Sequence, residues 1–141
     1  MDPKQAQELE ALLAGWPAAQ EGLKRCLLEL KAAALEVPGA VLGLVSRPGV
    51  SHSLRFDLRP RPAGRERPVF FLCDVVDLGD ELMLSVCFYE DEISDPEQLG
   101  NAIPRGLFDE TGYCFDAEEY DPDQIAYLTR RIAEAAAAAR G

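Results

Sequence analysis

Pro68-Val-Phe-Phe-Leu-Cys-Asp-Val-Val-Asp77 and Glu81-Leu-Met-Leu-Ser-Val-Cys-Phe-Tyr89, joined through Leu78-Gly79-Asp80, read as one β-hairpin with two unlike faces. Glycine supplies the positive φ that a tight turn needs. A two-residue Gly79-Asp80 loop puts Phe71, Cys73, Val75, Leu82, Leu84, Val86 and Phe88 on one side. Apart from the terminal Asp77, that side is apolar and calls for helices to pack on it. The other side carries Phe70, Leu72, Asp74, Val76, Met83, Ser85, Cys87 and Tyr89, with Asp74 opposite Ser85. A sheet without a fully solvated face must be covered on both sides or used for binding. The mixed side of the hairpin is therefore the first place to look for function.

Outward from the hairpin, the rest of the chain supplies the cover. Asp2-Pro3 reads as N-cap and first residue of a helix to about Leu13, ended by Gly15. Pro17 opens a second helix to about Leu35, on which Leu23, Cys26, Leu27, Leu30 and Ala34 recur at helical spacing. Ala40 to Ser46 is a short apolar strand, and Arg47-Pro48-Gly49-Val50 fits a type II turn. Ser51 to Arg59 alternates cleanly, with His52, Leu54, Phe56 and Leu58 against Ser53, Arg55, Asp57 and Arg59. Pro60 to Arg67 is a flexible basic loop. Glu90 to Gly100 is an acidic connection with a helical turn at Asp95-Pro96, and Ala102 to Phe108 is irregular. Gly106 to Asp116 reads as a long ordered loop tucked against the sheet, and Tyr113-Cys114-Phe115 as a short fifth strand or a plug. Asp121, Pro122 and Gln124 begin a last helix in capping-box fashion, with Ile125, Leu128 and Ile132 as its stripe. Its tail from Ala135 to Ala139 is expected to pack little and fray.

The fold class is thus α+β: a four- to five-stranded antiparallel sheet with two N-terminal helices and one C-terminal helix on one face. Its other face is closed by the 100–116 segment, a dimer partner or both. At 141 residues the chain reads as a single domain, 1–141. A chain of this size buries roughly 68% of its unfolded surface, so no staples are required. No apolar run approaches a membrane span, and the Met-Asp-Pro-Lys N-terminus lacks a signal-peptide pattern, which makes the cytoplasm the expected location.

The net charge is −11 and unevenly placed. Residues 69 to 128 hold sixteen acidic groups against one basic group, Arg105. Such a surface repels phosphate backbones, which argues against nucleic-acid binding and for a basic protein partner, a cation or solubility alone.

Candidate sites are few. The cysteines at 26, 73, 87 and 114 form no CxxC pair, and they read as buried reduced thiols. Cys73 and Cys87 fall on opposite hairpin faces in this register, which speaks against bonding between them. Asp74, midway along an apolar strand, needs a partner such as Ser85 or Arg55. A perturbed carboxylate there could serve a binding site with Cys87 and Tyr89. His52, the only histidine, has no Ser-His-Asp or Cys-His context, and no G-x-S-x-G occurs. The runs Glu90-Asp-Glu92 and Asp116 to Asp123 lack the glycine and closing glutamate of an EF-hand loop, so no metal is expected. Arg59, Arg61, Arg65 and Arg67 read as a solvated loop, with an acidic partner or the chain's own acidic residues as alternatives. No cofactor is implied.

The reading that follows is a small acidic, non-enzymatic protein-interaction module, chaperone-like or neutralising, acting as a homodimer or on a basic partner. Its interface or ligand residues are Arg55, Asp74, Ser85, Cys87, Tyr89 and Tyr113. The alternative is a small-molecule-binding domain or minor enzyme using the mixed face of the 68–91 hairpin.

Overall fold

The computed structural model describes residues 1–141. The elements run α1 (Pro3–Ala14), α2 (Glu21–Leu35), β1 (Ala40–Arg47), β2 (Ser51–Leu58), β3 (Phe71–Asp77), β4 (Leu82–Tyr89), β5 (Asn101–Leu107), β6 (Glu110–Ala117) and α3 (Pro122–Arg140). All six strands form one antiparallel sheet in the order β1-β2-β3-β4-β6-β5.

The central hairpin has the expected register, with Asp74 opposite Ser85 and Leu72 opposite Cys87. Leu78 and Glu81 close the two-residue loop, and Gly79 takes a φ of 102°. The β1–β2 turn also forms as read: Val50 N–H donates to Arg47 O, with Gly49 at φ 78°. On the helical face Phe56, Phe71 and Phe88 stack across β2, β3 and β4 at 4.6 and 5.5 Å. Phe115 meets Phe88 edge-on at 6.0 Å and Tyr127 of α3 at 6.1 Å. This aromatic row joins the sheet to α3 within a core that also contains Leu23, Leu27 and Leu30 of α2. Each buried ring contributes its area plus a stacking term of roughly 0.5–1.5 kcal/mol per pair.

The sheet has six strands, not four to five. Residues 101–117, read as an irregular stretch and a loop with 113–115 as a short fifth strand or a plug, form the β5–β6 hairpin. Pro104 hid β5, yet β5 is an edge strand, where a missing N–H costs no ladder bond. A register shift between Ile103 and Leu107 absorbs the extra residues and bends the strand. The hairpin tip then has Phe108 and Asp109 at φ 48° and 66°, the two positive angles that a primed turn needs.

Two further corrections concern packing. Phe70 lies before β3 starts, donates its N–H to Phe56 O, and is buried against Phe71 in the helical-face core rather than on the mixed face. The tail of α3 does not fray: Ala135, Ala136 and Ala139 are buried, because small side chains let the helix lie close to its neighbours. At the other end of α3, Asp121 caps Asp123 N–H and Gln124 N–H. The Gln124 side chain donates to Asp116 O instead of returning to the cap.

No helix is long and apolar enough to cross a membrane.

Candidate functional site

Alternation along β1 to β3 decides what the outer face of the sheet displays. β1 contributes Val41, Gly43 and Val45, β2 contributes Ser51, Ser53, Arg55 and Asp57, and β3 contributes Leu72, Asp74 and Val76. Arg55 is level with Gly43, so it sits between the two valines of β1. Val41 and Val45 are each 38% exposed, and Phe108 at the hairpin tip is 42% exposed.

The bend in β5 carries the hairpin across this face. Leu107 lands on Val69, Leu72, Cys87 and Tyr89 to make a small second core, and Cys114 packs against it. Phe108 lands beside Arg55, whose guanidinium lies 5.2 Å from the ring centroid. A phenylalanine in the left-handed region is uncommon, and such conformations concentrate at functional surfaces. Open grooves flank the tip. One of about 290 Å³ is lined by Val45, Arg55, Leu72, Asp74 and Phe108 among others. The other, of about 450 Å³, includes Val41, Gly43 and Arg55.

Five of the six residues singled out from sequence share the outer face without forming one cluster, and Tyr113 does not join them. Arg55 and Asp74 do line one groove. They do not pair: Arg55 Nε donates to Ser53 Oγ at 3.3 Å, and Asp74 stands in register between Ser53 and Ser85. Ser85 Oγ lies 3.4 Å from Cys87 Sγ. Tyr89 is buried, and its hydroxyl has no partner. The Arg67 guanidinium lies over its ring at 4.2 Å. Burial pushes the Tyr89 phenol up to about 12. Tyr113 is on the opposite, helical face, where it packs on the main core. It is not on the mixed face with Tyr89, because β6 residues alternate between faces and 113 has the helical parity.

Cys87 and Cys114 are bonded to each other rather than being reduced thiols. They face each other across the β4–β6 ladder, a pairing that depends on β6 entering the sheet beside β4. Cys26 and Cys73 are free and buried, and burial pushes the Cys73 thiol up.

The four arginines of the loop are paired with the chain's own carboxylates, although Arg59 stays 55% exposed. Arg61 donates to Asp57 Oδ2 at 2.7 Å and to Arg67 O at 2.8 Å. Arg65 grips Glu92 at 2.7 and 3.1 Å and also donates to Val69 O. Arg67 pairs with Asp91 and Glu110. Its hydrogen bonds with Glu110 and then Asp91 hold the guanidinium above its ordinary value. The Asp57 carboxylate also takes Arg59 at 3.4 Å. Composition alone distributed these charges along the chain. The fold brings the basic loop onto its own acidic residues.

A second polar cluster went unrecognised in the sequence. Asp95 accepts from Leu99 N–H at 3.0 Å, Gly100 N–H at 2.9 Å, Tyr113 Oη at 2.6 Å and Tyr127 Oη. Burial pushes its carboxyl up, but the hydrogen bonds from Tyr113, Tyr127 and the two backbone amides outweigh this and bring it down to about 2. The bond to Asp95 takes the Tyr113 phenol up to about 12. The cluster ties the start of β5 to β6 and α3. It holds structure together and presents no free nucleophile. His52 is equally engaged, its Nδ1 lying 2.9 Å from Ser46 Oγ.

No group of three or more His, Cys, Asp or Glu side chains is arranged to hold a metal ion. Comparison with protein-family models, with curated proteins and with solved structures finds no match for this chain.

Proposed function

We propose that this chain is a non-enzymatic protein-interaction module that docks another protein chain on the outer face of its sheet. One observation carries the reading. Val41, Val45 and Phe108 stand exposed around Arg55, on the part of the face that the β5–β6 hairpin leaves uncovered and beside open grooves. Apolar side chains gathered beside an unpaired guanidinium are the composition of an interface centre, where arginine and aromatic residues supply most of the binding energy.

The alternative, a small-molecule site or minor enzyme on the mixed face, loses its members. Cys87 is bonded to Cys114, Tyr89 is buried under Arg67, and Tyr113 faces the helices. Asp74 is left without a second titrating group at hydrogen-bond reach, which general acid–base chemistry needs.

A basic partner is favoured by a different surface. A cleft of about 710 Å³ beside the start of α3 is lined by Glu97, Asp116, Glu118, Glu119, Asp121 and Asp123, with Arg130 as its one cation. Binding there would weaken steeply with salt.

The test is photo-cross-linking from a reactive side chain introduced at position 45 or 108, with position 10 on the exposed side of α1 as control. The docking reading expects a discrete protein adduct, to the chain itself or to another protein, from 45 and 108 but not from 10. Equal labelling from all three positions, or none, would count against it.

A further inference from the structure

We infer that the occupant of the outer face is a second copy of this chain, docked about a two-fold axis so that Arg55 of each copy meets Asp74 of the other. The inference rests on the docking reading above and names its partner.

The charges on the face point this way. Of the basic residues from 47 to 67, Arg59, Arg61, Arg65 and Arg67 each have a carboxylate partner. Arg47 and Arg55 have none, and the only hydrogen bond from Arg55 goes from Nε to Ser53, which leaves both terminal nitrogens free. On the same face Asp57 is saturated by Arg59, Arg61 and Leu58 N–H. Asp74 has no donor, and two strands further on Asp116, level with it across Ser85, has none either. One surface therefore holds an unengaged cation and an unengaged anion that do not satisfy each other. An isologous contact requires this property, since whatever residue i offers must be met by residue j of the other copy, and the reverse.

The apolar residues are arranged to match. Arg55 on β2 is level with Gly43, which lies between Val41 and Val45 of β1, and Asp74 lies on the adjacent β3, opposite Ser53 and next to Val76 on the same face. Leu72 is buried under Leu107, so the apolar side chains each copy offers are Val41 and Val45 beside the cation and Val76 beside the anion. A two-fold axis between Arg55 and Asp74 lays each charge on its complement in the other copy. Gly43 leaves the space beside Arg55 open for the incoming carboxylate, and no crowding demands a glycine there, since the nearest atom to a β-carbon at 43 would be Gln5 Oε1 at 3.9 Å.

The area sets the strength. Three strands about 4.8 Å apart, two of eight residues and one of seven, with the hairpin tip, cover on the order of 500 Å² per copy, or about 1,000 Å² in total. That is the lower end of specific interfaces, so the dimer is reversible and depends on concentration.

A reciprocal charge swap tests the contact. Light scattering after size exclusion, over a range of concentrations, follows wild type, Arg55→Asp, Asp74→Arg and an equimolar mixture of the two variants. Wild type is expected to move toward twice the chain mass as concentration rises. Each variant alone places like charges together and should dissociate at least tenfold more readily. In their mixture one copy carries a carboxylate at both positions and the other a guanidinium at both. Both ion pairs then re-form across the axis, so the mixture should regain the dimer. The doubly substituted chain, which restores both pairs within a homodimer, should behave like wild type. Neither single variant is expected to lose the far-UV circular dichroism of the fold.

Three results would overturn the inference: a wild type that is monomeric throughout, single variants that dimerise like wild type, or a mixture that stays monomeric. A monomeric wild type whose position 45 cross-links to another protein would sink the second copy while leaving the docking reading intact. A monomer without any adduct would sink both.

Discussion

Asp95→Asn is the sharpest test of the polar cluster that holds the β5–β6 hairpin in place. The carboxylate takes two backbone and two phenolic donors. An asparagine oxygen can serve one pair, but its amide group then faces the other. Tyrosine hydroxyls can rotate and accept, whereas a backbone N–H cannot, so one backbone donor loses its partner at a cost of about 1–3 kcal/mol. The carboxyl is lowered from 3.8 to about 2, which corresponds to a ceiling of roughly 2.4 kcal/mol of charge-dependent stability. Asp95 is partly exposed, so solvent screening reduces that contribution to about 1 kcal/mol. The expected destabilisation at pH 7 is about 2 kcal/mol, or roughly 6–8 °C in Tm for a chain of this length.

The pH dependence separates this from a simple packing defect. The folded-state value lies below the unfolded one. The stabilisation is therefore complete above about pH 3.8 and is lost as pH falls toward 2. Urea titrations of wild type and Asp95→Asn between pH 7 and pH 2.5 should show a constant difference down to about pH 4. Below that, the difference should shrink by on the order of 1 kcal/mol. A difference that stays flat to pH 2.5, or grows, would refute the charge-based reasoning.

Other outcomes follow from the same geometry. Thiol titration of the denatured, unreduced chain should find two free cysteines, 26 and 73. Reduction of Cys87–Cys114, which lie 27 residues apart, should lower stability by about 3–4 kcal/mol in chemical denaturation. Arg65→Met strands Glu92, whose side chain is only 8% exposed, and should cost about 2–4 kcal/mol, since Arg67 at 3.2 Å supplies part of the missing charge. Ala135→Leu overfills the fully buried α3 contact and should cost about 1–3 kcal/mol by thermal melting, where a frayed tail would tolerate it. Phe108→Asn relaxes a left-handed backbone and should leave the melting temperature unchanged or raised while weakening self-association in light scattering.

What was legible in the sequence followed from local chemistry. Period-two alternation with a glycine turn fixed the β3–β4 hairpin and its register. Pro48-Gly49 fixed the β1–β2 turn, Asp2-Pro3 and Asp121-Pro122 fixed two helix starts, and a 3.6 period fixed the buried stripe of α2. The missed elements were those whose local signal is contradicted by a tertiary environment. Pro104 marks a break in most strands but is free of cost on an outer one. A run of alanines has no apolar stripe to read, yet packs closely because it is small.

The candidate site divides along the same line. Sequence alone placed Arg55, Asp74 and Ser85 on a mixed sheet surface and drew attention to that surface. It could not say which cation meets which carboxylate, because ion pairs such as Arg65–Glu92 and Arg67–Glu110 join residues 27 and 43 positions apart. It could not see Cys87 opposite Cys114, or Phe108 above Arg55, because both depend on β6 entering the sheet beside β4 and on the bend in β5. Backbone preference and side-chain alternation act over a few residues and are written locally. Charge pairing, disulfide pairing and the choice of which surface stays open are decided only when the chain closes on itself.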